Sequence, residues 1–587
     1  MTSIAGAKLS TIDARDGGSD QAETRAASSI GVINKHVTFE EYVYSADRAR
    51  AFESTLVTEN TIDQLKKLFT GKKLATQPTE LQTDYSSVTP PEKHGSNVAR
   101  LTTEDGNGVT ELEWERAQRA TRTATWITVF YLITTDILGP YNVPWAVSRM
   151  GYGPGVALYT VFGGFAFYSG LQLWKQFCGL DSPRYPMRNY GDLGFRIFGN
   201  WARMVINVLQ SCQFFLNVTL ITVSNGQGLQ QMAAGASGKG FLCFVVAEVI
   251  FMLLGFVLGQ IRTLQRLGFL ANIAVWLNIF VIFMTMGVTS VFKPNYEAAQ
   301  ASYGVAPGPV QTSANWPEGS KLIDRVNGLM NGVFAYGGAT LFTELMAEMR
   351  RPNDFYKSLI CAEIFIFSMY ITIGMVVYTY QGQFTFNPAY QGEVIGIPNS
   401  AYAWQTVGNA IAFVSALIAA VLYGNIGVKV LYASVLRDVF HFPALDTKKG
   451  KLVWMVLVPI YWALAFIFAA AIPQLSNLAA FVGAAFILQF SYTFPPILMV
   501  GFNCQKDAIL PEELDTTVGG RFVRVDSGPQ RWIRGYRKQW LLNTFNVIYF
   551  VASLAVAGLG IYASILGMRA SFKSTPLTPF TCGSPTG

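Results

Sequence analysis

The chain changes character near residue 120. Before it the sequence is polar, rich in Ser, Thr, Asp and Glu, and holds no apolar run. After it, eleven apolar runs follow at about 125–148, 154–174, 204–224, 241–259, 268–292, 326–347, 359–380, 406–428, 452–472, 478–501 and 540–566. A hydrocarbon core of about 30 Å needs about 20 mostly apolar helical residues to cross it. In lipid every backbone N–H and C=O must be paired within the protein, so runs of this length form helices, whereas a barrel shows alternating segments of about 10 residues. The pattern predicts an all-α integral membrane protein with eleven transmembrane helices over residues 121–566, a polar tail over 1–120 and a short tail over 567–587.

The N-terminal tail shows no cleavable signal sequence and reads as largely disordered. Two stretches in it, Phe39 to Phe52 and Ile62 to Phe69, have the spacing of short amphipathic helices, which are marginal alone in water. Alternate connections differ in charge. Those after runs 2, 4, 6, 8 and 10 carry 22 Lys and Arg; the opposite ones carry five, Arg149, Lys239, Lys293, Lys321 and Arg325. Short cytoplasmic loops hold positive charge, so the count predicts a cytoplasmic N-terminus and an outer C-terminus. The net charge of +7 then follows from topology and calls for no nucleic acid partner.

Composition narrows the chemistry. At 51% hydrophobic and 14% charged residues the chain belongs in lipid. Its three histidines, His36, His94 and His441, lie in the tail or loops, which argues against histidine-based chemistry in the membrane. GASGKG at 235–240 lacks the spacing of a phosphate loop and the Ser/Thr after its Lys. The six cysteines show no paired spacing, and three fall in apolar runs, so neither a disulfide framework nor a metal site is expected, and no cofactor. These features exclude the usual enzyme classes.

Two runs are interrupted where an anchor helix would be continuous. The first reads TTDILGPYNVPWAVSRMG, with Gly139, Pro140, Asn142 and Pro144 near its middle; the sixth reads NGVFAYGGATLFTELMAEMRRP, with Gly337 and Gly338 adjacent. Run 6 comes five spans after run 1 and enters from the opposite side, the arrangement of an inverted repeat. Interrupted helices expose N–H groups that attract anions and carbonyls that attract cations, and an amino acid offers both charges. The expected substrate-binding residues are therefore Leu138, Gly139, Tyr141 and Asn142 at the first break and Phe334, Ala335, Tyr336, Gly337 and Gly338 at the second. The bland alternative is that Gly and Pro merely permit close packing or kinks.

Four stretches carry a resemblance: GPYNVPWAV at 139–147, YGDLGFRIFG at 190–199, GVFAYGGATLFTELMAEMRRP at 332–352 and IPQLSNLAAFVGAAFILQFSYTFPPILM at 472–499. The chain resembles the amino acid/auxin permease family, within the amino acid, polyamine and organocation superfamily, and its fungal members in particular. It departs from members with Gly-x-Gly before their Leu-Pro pair, having Ile137 after Asp136. The resemblance implies a leucine-transporter-like fold of five plus five inverted helices with an eleventh added. It also implies secondary active transport of amino acids by alternating access, commonly proton-driven in fungi, in the plasma membrane rather than the vacuole.

An acid at bilayer depth costs about 2.5–3.5 kcal/mol on insertion scales and needs a cavity, a partner or a proton. Asp136, beside the first break, is the leading ion-coupling candidate and Glu344 the second; Glu248 and Glu363 read rather as helix contacts. The coupling ion expected is H+ before Na+, although Thr134, Thr135 or Ser415 could add hydroxyls to a sodium site. Asn217 in run 3 is either a packing residue or part of a pocket. A nutrient receptor of the same fold, signalling through the tail, and a transporter of another small organic solute are the alternatives.

Overall fold

The computed structural model describes residues 37–55, 122–137, 142–234, 242–261, 264–296, 304–385, 402–432, 448–472, 475–514 and 524–574, with a few short pieces besides. Statements of absence below refer to those residues. The second tail stretch, 62–69, lies outside them, whereas the first forms helix α1, Phe39–Thr55. Three short strands, Ser10–Ile12, Arg100–Thr102 and Gly108–Thr110, pair antiparallel in that order.

Runs 1 and 6 are each two helices. Run 1 forms α2 (Trp126–Ile137) and α3 (Val143–Met150). Pro144 sits in the first turn of α3, where its missing N–H has no partner to lose. Gly151 ends α3 at φ +85°, and a Cβ there would lie 2.0 Å from the Asn315 carbonyl oxygen, so only glycine fits this turn. Then come α4 (Tyr152–Leu180), α5 (Tyr190–Phe198), α6 (Asn200–Ala234), α7 (Phe244–Leu258) and α8 (Leu264–Val291). Asn189 and Asp192 close a reciprocal capping box at the start of α5.

Run 6 forms α9 (Leu322–Ala335), a 3-10 segment Gly337–Leu341 and α10 (Phe342–Glu348). It is followed by α11 (Phe355–Gln381), α12 (Tyr402–Leu431) and α13 (Lys448–Ala471). Run 10 begins as α14 (Leu475–Val482), widens into π-helical turns at Gly483–Ile487 and Gln489–Thr493, and ends as α15 (Phe494–Lys506). The short α16 (Pro529–Lys538) leads into α17, Trp540–Ser574.

Among the described residues eight helices are long and apolar enough to cross a membrane, and two shorter apolar ones, Trp126–Thr135 and Phe244–Leu258, accompany them. The long α6 packs along α12 and against α5, α7 and α13, while α17 lies against α9, α14 and α15. Large apolar side chains such as Trp276, Phe283, Ile364, Val456, Ile548 and Val551 point outward around the bundle, an apolar surface that water would not tolerate and lipid covers. Inside, the buried polar groups are mostly amides and hydroxyls.

At one end of the bundle the buried groups are charged. Helix α1 seats Phe39 on Phe502 and Tyr42 on Tyr185, with ring centroids 6.1 and 5.4 Å apart. Glu40 accepts from Arg524 at 2.9 Å and Arg531 at 2.8 Å, and Arg531 also bonds Glu513. The Arg50 guanidinium meets Asp181, whose two carboxylate oxygens accept from Arg122 at 2.6 and 2.8 Å. Burial pushes the Asp181 carboxyl up, but Arg122 and Arg50 hold it below the usual carboxylate range. Burial takes Glu53 up to about 7, against the pull of Arg50. Docking, not propensity, holds α1 helical.

One expectation is overturned. Cys243, just before α7, is bonded to Cys582 across 339 residues. Spacing along the chain carries no signal for a pair that only the tertiary fold brings together. Cys178, Cys212, Cys361 and Cys504 are free.

Candidate functional site

The two breaks lie against each other: Val143–Met150 packs on Leu322–Ala335, and Trp126–Ile137 touches the 3-10 segment Gly337–Leu341. Both contribute to one cavity of about 180 Å³, with Thr135, Ile137 and Asn142 on its run 1 wall and Phe334, Ala335 and Gly337 on its run 6 wall. The remaining walls come from α6 (Asn217, Ser224 and Asn225 among others), Asn278 of α8, Ser415 and Tyr423 of α12, Ala479 of α14, and Ile487. The lining carries no Asp, Glu, Lys or Arg. Ile487 reaches the cavity from the first π-helical turn; a Cβ on Gly337 would lie 2.9 Å from its Cδ1. Glycine at 337 thus keeps the segment thin where the side chain opposite is bulky.

Of the residues expected to bind substrate, Asn142, Phe334, Ala335 and Gly337 line this cavity. Tyr336 and Gly338 are buried beside it: the Tyr336 hydroxyl donates to the Tyr159 carbonyl at 3.1 Å, away from the space. Leu138, Gly139 and Tyr141 lie outside the described residues, as does the side chain of Asp136, whose backbone is in the last turn of α2. Glu344 sits on α10, where one carboxylate oxygen accepts from Gln210 and the other from Thr343, each at 2.7 Å. Gln210 also donates to the Thr340 carbonyl at 3.1 Å, so the acid is pinned between run 6 and α6. Glu248 is fully buried against Gly226 of α6, with no side-chain partner among the described residues.

The hydroxyls considered for a cation are engaged as donors. Thr134 and Thr135 bond carbonyls of their own helix, Phe130 at 2.7 Å and Tyr131 at 2.8 Å, and Ser415 donates to the Asn278 side chain at 2.8 Å. Asn217 is a pocket residue. Asn217 and Asn225 are eight residues apart, with Ile221 between them on the same helix face. That repeat of polar positions in an otherwise apolar run was the available signal for the α6 wall.

Toward the α1 end, the beginning of run 1 is joined to the end of run 6 by backbone. The Ala124 N–H donates to the Glu348 carbonyl at 3.0 Å and the Arg350 N–H to the Ala124 carbonyl at 2.9 Å. Arg122, two residues earlier, is the partner of Asp181. The two interrupted runs are therefore fastened at this end and open around a cavity further in.

Known proteins share this sequence pattern. A Neurospora crassa protein named "N amino acid transport system protein" is 23% identical over 460 residues, 78% of this chain and 87% of that one. A Fusarium pseudograminearum "Transmembrane transporter" is 24% identical over 380 residues, 64% of this chain and 75% of the relative. An Arabidopsis thaliana "Lysine histidine transporter-like 4" is 20% identical over 460 residues, 76% and 90% of the two chains. Residues 122–506 match the family described as "Transmembrane amino acid transporter protein", and this stretch holds both interrupted runs and every wall of the cavity. With well over half its length matched, the chain belongs to that family, a multi-pass membrane transporter and not an enzyme.

Proposed function

We propose that this chain is a secondary active transporter of neutral amino acids, driven by a proton gradient and working by alternating access around the cavity between the two breaks. The observation that carries the reading is the cavity itself: both interrupted runs meet at one space whose described lining carries no charge. A zwitterion needs two opposite partial charges and no net charge. The N-terminal turn of α3, with Asn142 at its cap, offers N–H groups to the carboxylate, and the carbonyls around Phe334 to Tyr336 offer oxygens to the ammonium. A charged side chain on the substrate would find no counter-charge in the described lining, which favours neutral substrates.

The topology proposed is eleven crossings, with the two sets of five related by inversion and the N-terminus in the cytoplasm. Two independent features support it. The Lys and Arg count assigns the start of run 4 and the C-terminal tail to the same outer face, and these two segments carry the bonded Cys243 and Cys582. Disulfides persist on oxidising sides of membranes and are rare in the cytosol. The plasma membrane is the proposed location, on the fungal character of the motifs. Asp136 is the proposed proton-coupling residue because it ends α2 beside the break.

Uptake of radiolabelled neutral amino acids into proteoliposomes under an imposed pH gradient tests this, comparing the wild type with D136N. Accumulation that a protonophore abolishes and D136N lacks is the expected result. Folded wild type with no saturable uptake of any amino acid overturns it. The docking of α1 favours one second reading, a receptor that signals through its tail; deletion of residues 1–110 separates them, since a transporter retains saturable uptake and a receptor has none in either form.

A further inference from the structure

The cavity wall contains a contact that the transport reading does not use. Ile137 is the last residue of α2 and Ala335 the last of α9, and both line the cavity. The hydroxyl of Tyr370, on α11, donates to the carbonyls of both, at 2.8 Å for Ala335. The last carbonyls of a helix have no intrahelical donor and carry its negative pole, roughly half a charge. Here two such poles converge on one side chain. A hydroxyl has a single proton, so the two oxygens share it.

The donor is held rigidly. Tyr370 is fully buried, and its ring meets those of Tyr336 at 5.5 Å and Tyr159 at 5.8 Å between centroids, both tilted toward edge-to-face contact. Tyr336 stands at the second break and Tyr159 on α4, so three helices fix where the hydroxyl points. Two facing carbonyls at an interrupted helix pair are also what a small monovalent cation seeks at membrane depth.

We infer that Tyr370 is a positioning residue for transport whose hydroxyl proton joins the carbonyl ends of the two interrupted runs, standing where a sodium-sized cation would otherwise bridge them. The consequence is that the wild type needs no such cation to hold its breaks in register, and that removing one oxygen atom creates a demand for it. Y370F keeps the ring and its aromatic neighbours and removes only the donor.

The inference rests on the transport reading for one arm of its test and is free of it in the other. In proteoliposomes, wild-type uptake is expected to be equal in sodium, lithium and choline media. Y370F uptake is expected to fall at least about tenfold in choline and to recover most of that in sodium or lithium. Rescue by a cation is a readout that a merely structural tyrosine would not give. Sodium dependence of the wild type, undiminished Y370F uptake in choline, or a loss that neither cation restores each overturns the inference. In the second arm, thermal unfolding of purified protein is followed against sodium concentration. A saturable stabilisation is expected for Y370F and none for the wild type; a saturable shift in the wild type overturns the inference. This arm needs no substrate, so it decides the role of Tyr370 even if no amino acid is transported, and the wild-type half still tests the inference where Y370F does not fold, since a saturable sodium shift there overturns it.

Discussion

The α1 end of the bundle and the cavity at its middle solve opposite problems. At the α1 end, each buried carboxylate meets arginine: Asp181 with Arg122 and Arg50, Glu40 with Arg531 and Arg524, Glu513 with Arg531. Among the described side chains that line the cavity none is charged, and the polar work falls to amides, hydroxyls and the ends of interrupted helices. A charge pair has a fixed partner and resists separation in a low dielectric. A backbone pole or an amide can exchange a protein partner for a substrate group at little cost. The difference teaches that the first region is built to stay shut or to open as a unit, and the second to be emptied and refilled.

The largest effect that would break this contrast is D181A. It leaves Arg122, buried beneath the start of run 1, without its carboxylate, and losing one partner of a buried pair costs about 3–5 kcal/mol. A marked fall in unfolding temperature, with unchanged substrate affinity in protein that survives, is the expected outcome. An unchanged unfolding temperature would mean that this end is not fastened by charge. At the cavity, G337V should do the reverse. Its side chain meets Ile487, and overpacking of about 1–3 kcal/mol should appear as a raised KM for uptake while the docking of α1 is untouched.

A smaller effect follows from Glu53. Its carboxyl rises from an ordinary value of 4.5 to about 7 when α1 is seated, so the seated form binds the proton more tightly. The groups that face it are Arg50 on its own helix and Asp181, Arg122 and Arg351 on the bundle. Its contribution favours docking fully below 4.5 and is lost as pH rises through about 7, at most about tenfold per pH unit in the docking equilibrium. Amide hydrogen exchange of residues 39–55 against pH reads this directly, and E53Q should flatten the profile. A profile that runs the other way would contradict the burial of this carboxyl. Smallest of all is R524A. Its side chain is 39% exposed and Glu40 keeps Arg531, so stability should change by less than about 1 kcal/mol.

Local features of the chain were legible in the sequence. The interruptions of runs 1 and 6 depend on Pro144, Gly337 and their neighbours, which act on their own backbone, and the structure breaks both runs there. What decides the other cavity walls is which face each continuous helix turns inward. Asn225, Asn278 and Tyr423 enter because α6, α8 and α12 pack in one particular rotation, and apolar runs in lipid look alike on all sides. The two hydrogen bonds of Tyr370 span 233 and 35 residues, beyond any periodicity. The seat of α1 was hidden for the same reason: its amphipathic spacing was visible, but Asp181 and Arg531, which receive it, lie far along the chain.

The bond between Cys243 and Cys582 gives the molecule one more property. It closes a covalent ring around α7 to α17, almost everything after the first three runs. A protease that makes one cut in any connection inside that ring cannot release a fragment; the pieces stay one molecule until a reductant reaches the bond. The nicked protein would migrate as a single species without reductant and as two with it, and the helices on either side of the cut would still be held together as one body.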